Sequence, residues 1–166
     1  MASRGKKAGP PGSGRDELEG MPTWGLWEAV EGGDELWVQR LLEAGKSTEV
    51  RFRGWTPLMK AAEEDKVAIM KLLMERKADV EAVNNRGRNA LSFAAAPSKN
   101  RPTATAALKL LLECGASVSQ RDRSGKTAKD HAREEHREEA VEMIAEAERA
   151  RRGVPTAPRE DALARG

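Results

Sequence analysis

The sequence predicts an all-α fold: a solenoid of tandem helix–turn–helix units with short turns and disordered ends. Three observations predict it. A segment of the chain recurs about every 33 residues, and self-similarity at such a period marks stacked repeats. Each copy carries apolar residues at helical spacing, and each is preceded by turn residues. Composition agrees. Aromatics are 4% and Tyr is absent, so the apolar content is Ala, Leu, Val and Met, which pack closely between helices.

The clearest copy is GWTPLMKAAEEDKVAIMKLLMERKADVEA, starting at Gly54. Its echo starts at Gly87, 33 positions on, as GRNALSFAAAPSKNRPTATAALKLLLECGASVSQ. A further echo, GKTAKDHAREEHREEAVEMIAEA, starts at Gly125, 38 positions later. The surplus falls in 97–105, between the two apolar blocks, so the third copy carries an inserted loop. A few added loop residues cost little closure entropy, and this loop is expected to be a surface excursion. Upstream, LWEAVEGGDELWVQRLLEAG fits the same frame. The repeats therefore span about 23–50, 51–83, 84–121 and 122–149, within a folded region of 21–149.

Within a copy the first helix is short and small-faced: Leu58, Ala61 and Ala62, then Leu91, Ala94 and Ala95. The second has a wider apolar stripe: Ile69, Leu72 and Leu73, then Leu108, Leu111 and Leu112. Gly54, Gly87 and Gly125 precede the first helices, where a turn needs positive φ. Thr56 and Thr127 stand as N-caps, with Pro57 in the first turn. Gly115 closes a second helix as a C-terminal cap. One such unit cannot bury its own apolar face, so stacking supplies the core.

The ends differ in character. Residues 1–20 are rich in Gly, Pro, Ser and basic side chains, and 150–166 are similar. Neither can bury enough apolar surface to offset its ordering entropy, and both are expected to be disordered tails. The single cysteine, Cys114, cannot form a disulfide within the chain, which fits a reducing compartment. No apolar run approaches a membrane span or a secretory signal. The expectation is an intracellular monomer, cytoplasmic or nuclear. A formal net charge of +2 does not by itself point to nucleic acid or to an anionic membrane.

At this level of detail the residues resemble the ankyrin repeat. Thr56-Pro57-Leu58-Met59-Lys60-Ala61-Ala62 is similar to that family's T-P-L-H-x-A-A signature. The stretch from Lys71 to Val80 is similar to its K-L-L-L-E-x-G-A-D-V ending, and the stretch from Leu110 to Ala116 matches better still. Four repeats are implied over about 23–146. Departures are specific. Met59, Ser92 and Asp130 replace the usual His, and Lys77 stands where a terminating Gly is expected. Lys129 replaces a core Leu in the last copy, while Trp24 and Trp27 sit in the first. Atypical end copies suit capping repeats; the Met59 and Lys77 changes imply a marginally stable array.

Catalytic and cofactor chemistry is not assembled by these residues. Gly125-Lys126-Thr127 is similar to the end of a phosphate-binding loop, but Gln120 occupies the position of its first Gly. Gly12-Ser13-Gly14 lacks the strand–turn–helix context of a nucleophile elbow. His131 and His136 are five apart and do not share a helix face, so two solvated histidines and no metal site are expected. Cys114 reads as a small filler between repeats. The Glu-rich run 134–148 is interleaved with Arg and reads as a salt-bridged helix face. Neither an enzyme nor a cofactor is expected.

The resemblance implies a binding surface instead. In ankyrin arrays the turns before the first helices project as fingers, and the fingers with the first-helix face form a concave surface. Carried over by residue, the finger positions are Phe52, Arg53 and Trp55; Asn85, Arg86 and Arg88; and Arg123, Ser124 and Lys126. The row is basic in each finger, and Trp and Arg often carry binding energy. Phe52, Arg53, Trp55, Asn85, Arg86, Arg88, Arg123 and Lys126 are thus the candidate partner-binding residues. Glu63 and Glu64 on the adjoining helix face would repel a polyanion. A protein segment with acidic and apolar residues fits better than nucleic acid. The alternatives are a nucleic-acid binder using the arginine row and a detached regulatory piece of a larger signalling protein. Substitutions at Trp55, Arg86 and Arg88 are expected to leave the fold intact, on the premise that these turns are exposed.

Overall fold

The computed structural model describes residues 25–96 and 105–153. The expected tails, the inserted loop and Trp24 lie outside the described residues, apart from Thr105 and 150–153 at their edges. Eight α-helices are found among the described residues: α1 (Gly25–Gly32), α2 (Glu35–Glu43), α3 (Pro57–Glu63), α4 (Val67–Glu75), α5 (Ala90–Ala95), α6 (Ala106–Glu113), α7 (Ala128–Glu134) and α8 (Glu138–Arg151). They pair as hairpins, α1 with α2 through α7 with α8. The first helices α1, α3, α5 and α7 stack in one layer, and α2, α4, α6 and α8 in a second. The all-α solenoid expected from the repeat is the fold observed. α8 runs on to Arg151, past the expected boundary at 149.

Local chemistry explains the starts of α3, α5 and α7. Thr56 and Thr127 are N-caps as expected, each accepting a bond at 3.3 Å, from the Met59 and Asp130 amides respectively. The residues that replace the family's His still serve these caps. The Asp130 carboxylate accepts from the Thr127 amide at 2.9 Å and its hydroxyl at 2.8 Å. The Met59 sulfur accepts from the Thr56 amide at 3.5 Å. In the third copy Asn89 takes the cap position, its Oδ1 accepting from both the Ser92 amide and the Ser92 hydroxyl at 3.0 Å.

The small-faced first helices let neighbouring repeats approach closely. Ala61, Ala62, Ala94 and Ala95 are all buried between α3 and α5 or their partners. Leu41, Ile69, Leu73, Leu108, Leu111 and Ile144 fill the second layer, and the whole forms one continuous apolar cluster. In the last copy Lys129 is half-buried and pairs with Glu148 at 2.7 Å, so an ion pair stands where a core Leu was expected.

Repeats are also tied by polar side chains that cap each other's helices. Lys66, at the start of α4, donates to the Val30 carbonyl at 2.8 Å and the Glu31 carbonyl at 2.7 Å, at the end of α1. Arg137, at the same place before α8, donates to the Ala94 and Ala95 carbonyls at 2.9 and 2.8 Å, at the end of α5. Helix-end carbonyls have no partner in their own helix, so these bonds satisfy them. Asp65 Oδ1 accepts the Ala107 amide at 2.6 Å, capping α6 across repeats.

Three expectations need correction or completion. Cys114 is exposed and fills no space between repeats. His131 is not solvated: it is half-buried and bonded to Asp122 at 2.8 Å, whereas His136 is exposed. Lys77 has φ of +61°, a left-handed conformation that costs an L-residue energy and a glycine nothing. Lys77 is exposed, so Lys77→Gly loses no packing. It should raise stability by about 0.5 kcal/mol or more, since the relieved strain exceeds the added chain entropy. A denaturant midpoint at or below wild type would refute this.

Candidate functional site

The fingers are built from two kinds of turn. In the first, Phe52 and Trp55 exchange both backbone bonds at 3.0 Å. Arg53 and Gly54 between them have φ of +53° and +86°, the double positive φ of a two-residue hairpin turn. The second and third fingers are wider and are organised by one side chain each. Asn84 Oδ1 accepts from the Arg86 and Arg88 amides at 2.9 and 3.1 Å. Asp122 Oδ1 accepts from the Ser124 and Lys126 amides at 2.8 and 3.0 Å. Short Asx side chains close turns in this way.

Adjacent fingers are bonded into one row. The Arg51 guanidinium donates to the Val83 carbonyl at 2.8 Å, and the Arg123 amide donates to the Arg86 carbonyl at 2.9 Å. Asp122 also bonds His131 on α7, fixing the third finger to its helix. Burial pushes the Asp122 carboxyl up, but the Lys126 and Ser124 amides and His131 outweigh it. The group is held below the ordinary aspartate range.

The structure brings five of the candidate residues together. Arg53, Trp55, Asn85, Arg86 and Arg88 line, with Asn84 and Phe93, a cleft of about 300 Å³ between the first two fingers. Phe52 stands outside it, 42% exposed, resting on Trp27 with ring centroids 5.2 Å apart. Arg123 is an exposed residue of the third finger, away from the cleft. Lys126 is paired with Glu134.

Two of the five are less exposed than expected. The Trp55 ring lies 4.0 Å, centroid to centroid, from Phe93 on α5. The Arg88 guanidinium sits 4.6 Å from the centre of the same ring, and its Nη2 donates to the Ser92 carbonyl at 3.3 Å. Both side chains are half-buried. Substituting Trp55 or Arg88 therefore disturbs the packing of α5 as well as the surface, while Arg53 and Arg86 are exposed.

Phe93 was missed in the sequence reading. It occupies the repeat position held by Lys60 and His131 in the neighbouring copies, and an aromatic at a position otherwise polar is the signal that would have found it.

The carboxylates beside the cleft are already engaged. Glu63 is held by Lys60 at 3.2 Å, and Glu64 by Lys60 at 2.8 Å and by Lys66. These carboxylates are neutralised locally. Arg53, Arg86 and Arg88 have no carboxylate within 4.0 Å among the described residues. Burial pushes the Arg88 guanidinium below its ordinary range, with Asp122 acting more weakly the other way. Its Nε is buried with no acceptor among the described residues. Three guanidiniums thus line one cleft.

Comparison with known proteins agrees with this architecture. The family model described as ankyrin repeats (3 copies) matches residues 26–122. The ankyrin repeat, SAM and basic leucine zipper domain-containing protein 1 of Mustela putorius furo is 45% identical over 53 residues, 31% of this chain and 11% of that protein. Its counterpart in Neofelis nebulosa is 43% identical over the same shares. The match thus spans about a tenth of the length of these relatives and says nothing about their other domains. On the family model, the motif register and the stacked hairpins, the chain belongs to the ankyrin repeat family.

Proposed function

We propose that this chain docks a protein partner on its finger row and first-helix face, receiving a segment that carries acidic and apolar residues. Ankyrin repeats are in general protein–protein interaction modules. The observation that carries the finer reading is the group of three guanidiniums that meet no carboxylate among the described residues, Arg53, Arg86 and Arg88, beside the exposed ring of Phe52, over which Arg53 lies at 5.5 Å. Exposed charges at a rim steer association, and desolvated aromatic and Arg anchors hold the complex. The single cysteine and the lack of a disulfide fit work inside the cell.

The test uses Arg53→Glu with Arg86→Glu, because both side chains are exposed and, among the described residues, neither donates to a backbone carbonyl, Arg53 only lying over Phe52 at 5.5 Å. With a partner identified by affinity purification and mass spectrometry, the double variant should associate at least tenfold more slowly, about what reversing rim charges does to an on-rate. Its unfolding midpoint should stay unchanged, and Lys109→Glu on the second layer should bind as wild type. Equal association of the double variant and wild type would remove the finger row from the interface. Trp55→Ala is a weaker test, since loss of its stack on Phe93 also costs stability. If the ligand were nucleic acid, affinity would fall steeply with salt through counterion release.

A further inference from the structure

We propose that the cleft formed by Arg53, Trp55, Asn85, Arg86, Arg88 and Phe93 receives the phosphoryl group of a phosphorylated serine or threonine on the docked partner. The inference rests on the finger-docking reading and specifies what enters at one point of it. Three guanidiniums line the cleft and none meets a carboxylate among the described residues. Lys60 and Lys66 are matched to Glu63 and Glu64, and Lys126 to Glu134. A lone carboxylate would offset one of the three charges, whereas a phosphoryl group carries about −2 at neutral pH and three acceptor oxygens.

One side of the cleft is held in place. The Phe93 ring centre lies 4.0 Å from that of Trp55 and 4.6 Å from the Arg88 guanidinium. Arg88 is fixed by its contact with Phe93 and by its bond to the Ser92 carbonyl at 3.3 Å. Guanidinium–oxyanion pairs are charge-assisted and are the strong hydrogen bonds, and a guanidinium already held in place loses less freedom in forming them. The wall adds the Asn85 amide, and a volume of about 300 Å³ admits a phosphoryl group with its methylene.

The experiment uses the full chain and four probes: a capped glycine–phosphoserine–leucine peptide, the same peptide with glutamate, the same with serine, and a thymidine dodecamer. Nuclear magnetic resonance follows the arginine Nε–H and tryptophan indole signals. The phosphoserine peptide should move the Arg88 Nε–H and Trp55 indole signals and bind about fivefold or more tighter than the glutamate peptide, with serine inert, as charge-assisted pairing to a dianion requires. Arg53→Gln with Arg86→Gln should weaken it about tenfold without shifting the unfolding midpoint, since both charges are exposed. Glutamate binding as well as phosphoserine, or the dodecamer displacing both with shifts spreading to Arg121 and Arg123, would overturn the proposal. If glutamate and phosphoserine bind alike and both are lost in the double variant, the phosphoryl preference falls while docking at the fingers stands.

Discussion

Leu111→Ala should lower stability by about 2–5 kcal/mol, the range for truncating a fully buried leucine. Leu111 has no exposed surface. It lies on α6, which packs against α5 in its own repeat and against α4 and α8 on either side. In a solenoid, stability is approximately the sum of each repeat's own stability and its interfaces with neighbours. A cavity at Leu111 therefore weakens the third repeat together with both of its junctions. Leu36 is the control: it is 60% exposed, and Leu36→Ala should change stability by no more than about 0.5 kcal/mol. Chemical denaturation measures both. Equal midpoints for Leu111→Ala and wild type would mean that the second-helix register is wrong.

Arg137→Ala should cost about 2–4 kcal/mol, through loss of charged donors to buried acceptors. Arg137 is buried and donates to the Ala94 and Ala95 carbonyls at the end of α5. With the guanidinium gone, those carbonyls lose these donors in a dry site, and unmet buried acceptors carry the full desolvation cost. Lys66 does the same work for the Val30 and Glu31 carbonyls in the second repeat. An ammonium therefore suffices at this position, and Arg137→Lys should recover most of the loss. If Arg137→Met, which keeps an apolar stem but no donor, is as stable as wild type, the helix-capping role is wrong and packing of the side-chain stem carries the effect.

What the sequence disclosed and what it hid follow from the reach of the interactions. Helix starts at Thr56 and Thr127 were legible because a cap bonds within three residues. The Asn89 cap follows the same chemistry and went unread only because Asn replaced Thr. The finger positions came from the repeat frame, but their burial did not. The frame places Trp55 on a turn, and only the stacked α5 shows that Phe93 covers its ring. Lys66, Arg137 and Asp65 carry no local signal, since the carbonyls and amide they cap lie in other repeats. His131 was misread for the same reason, its partner Asp122 being on the finger and not on its own helix. Periodicity reports which residues face a neighbour and is silent on the polar bonds that cross the seam.

Amide hydrogen exchange on the chain, free and bound to its captured partner, tests finger docking most directly. Docking on the finger row requires slowed exchange at 52–55 and 85–88 and on the adjoining first helices α3 and α5, with α4, α6 and α8 unchanged. Protection confined to the α4, α6 and α8 layer, with the fingers exchanging as in the free chain, would contradict it.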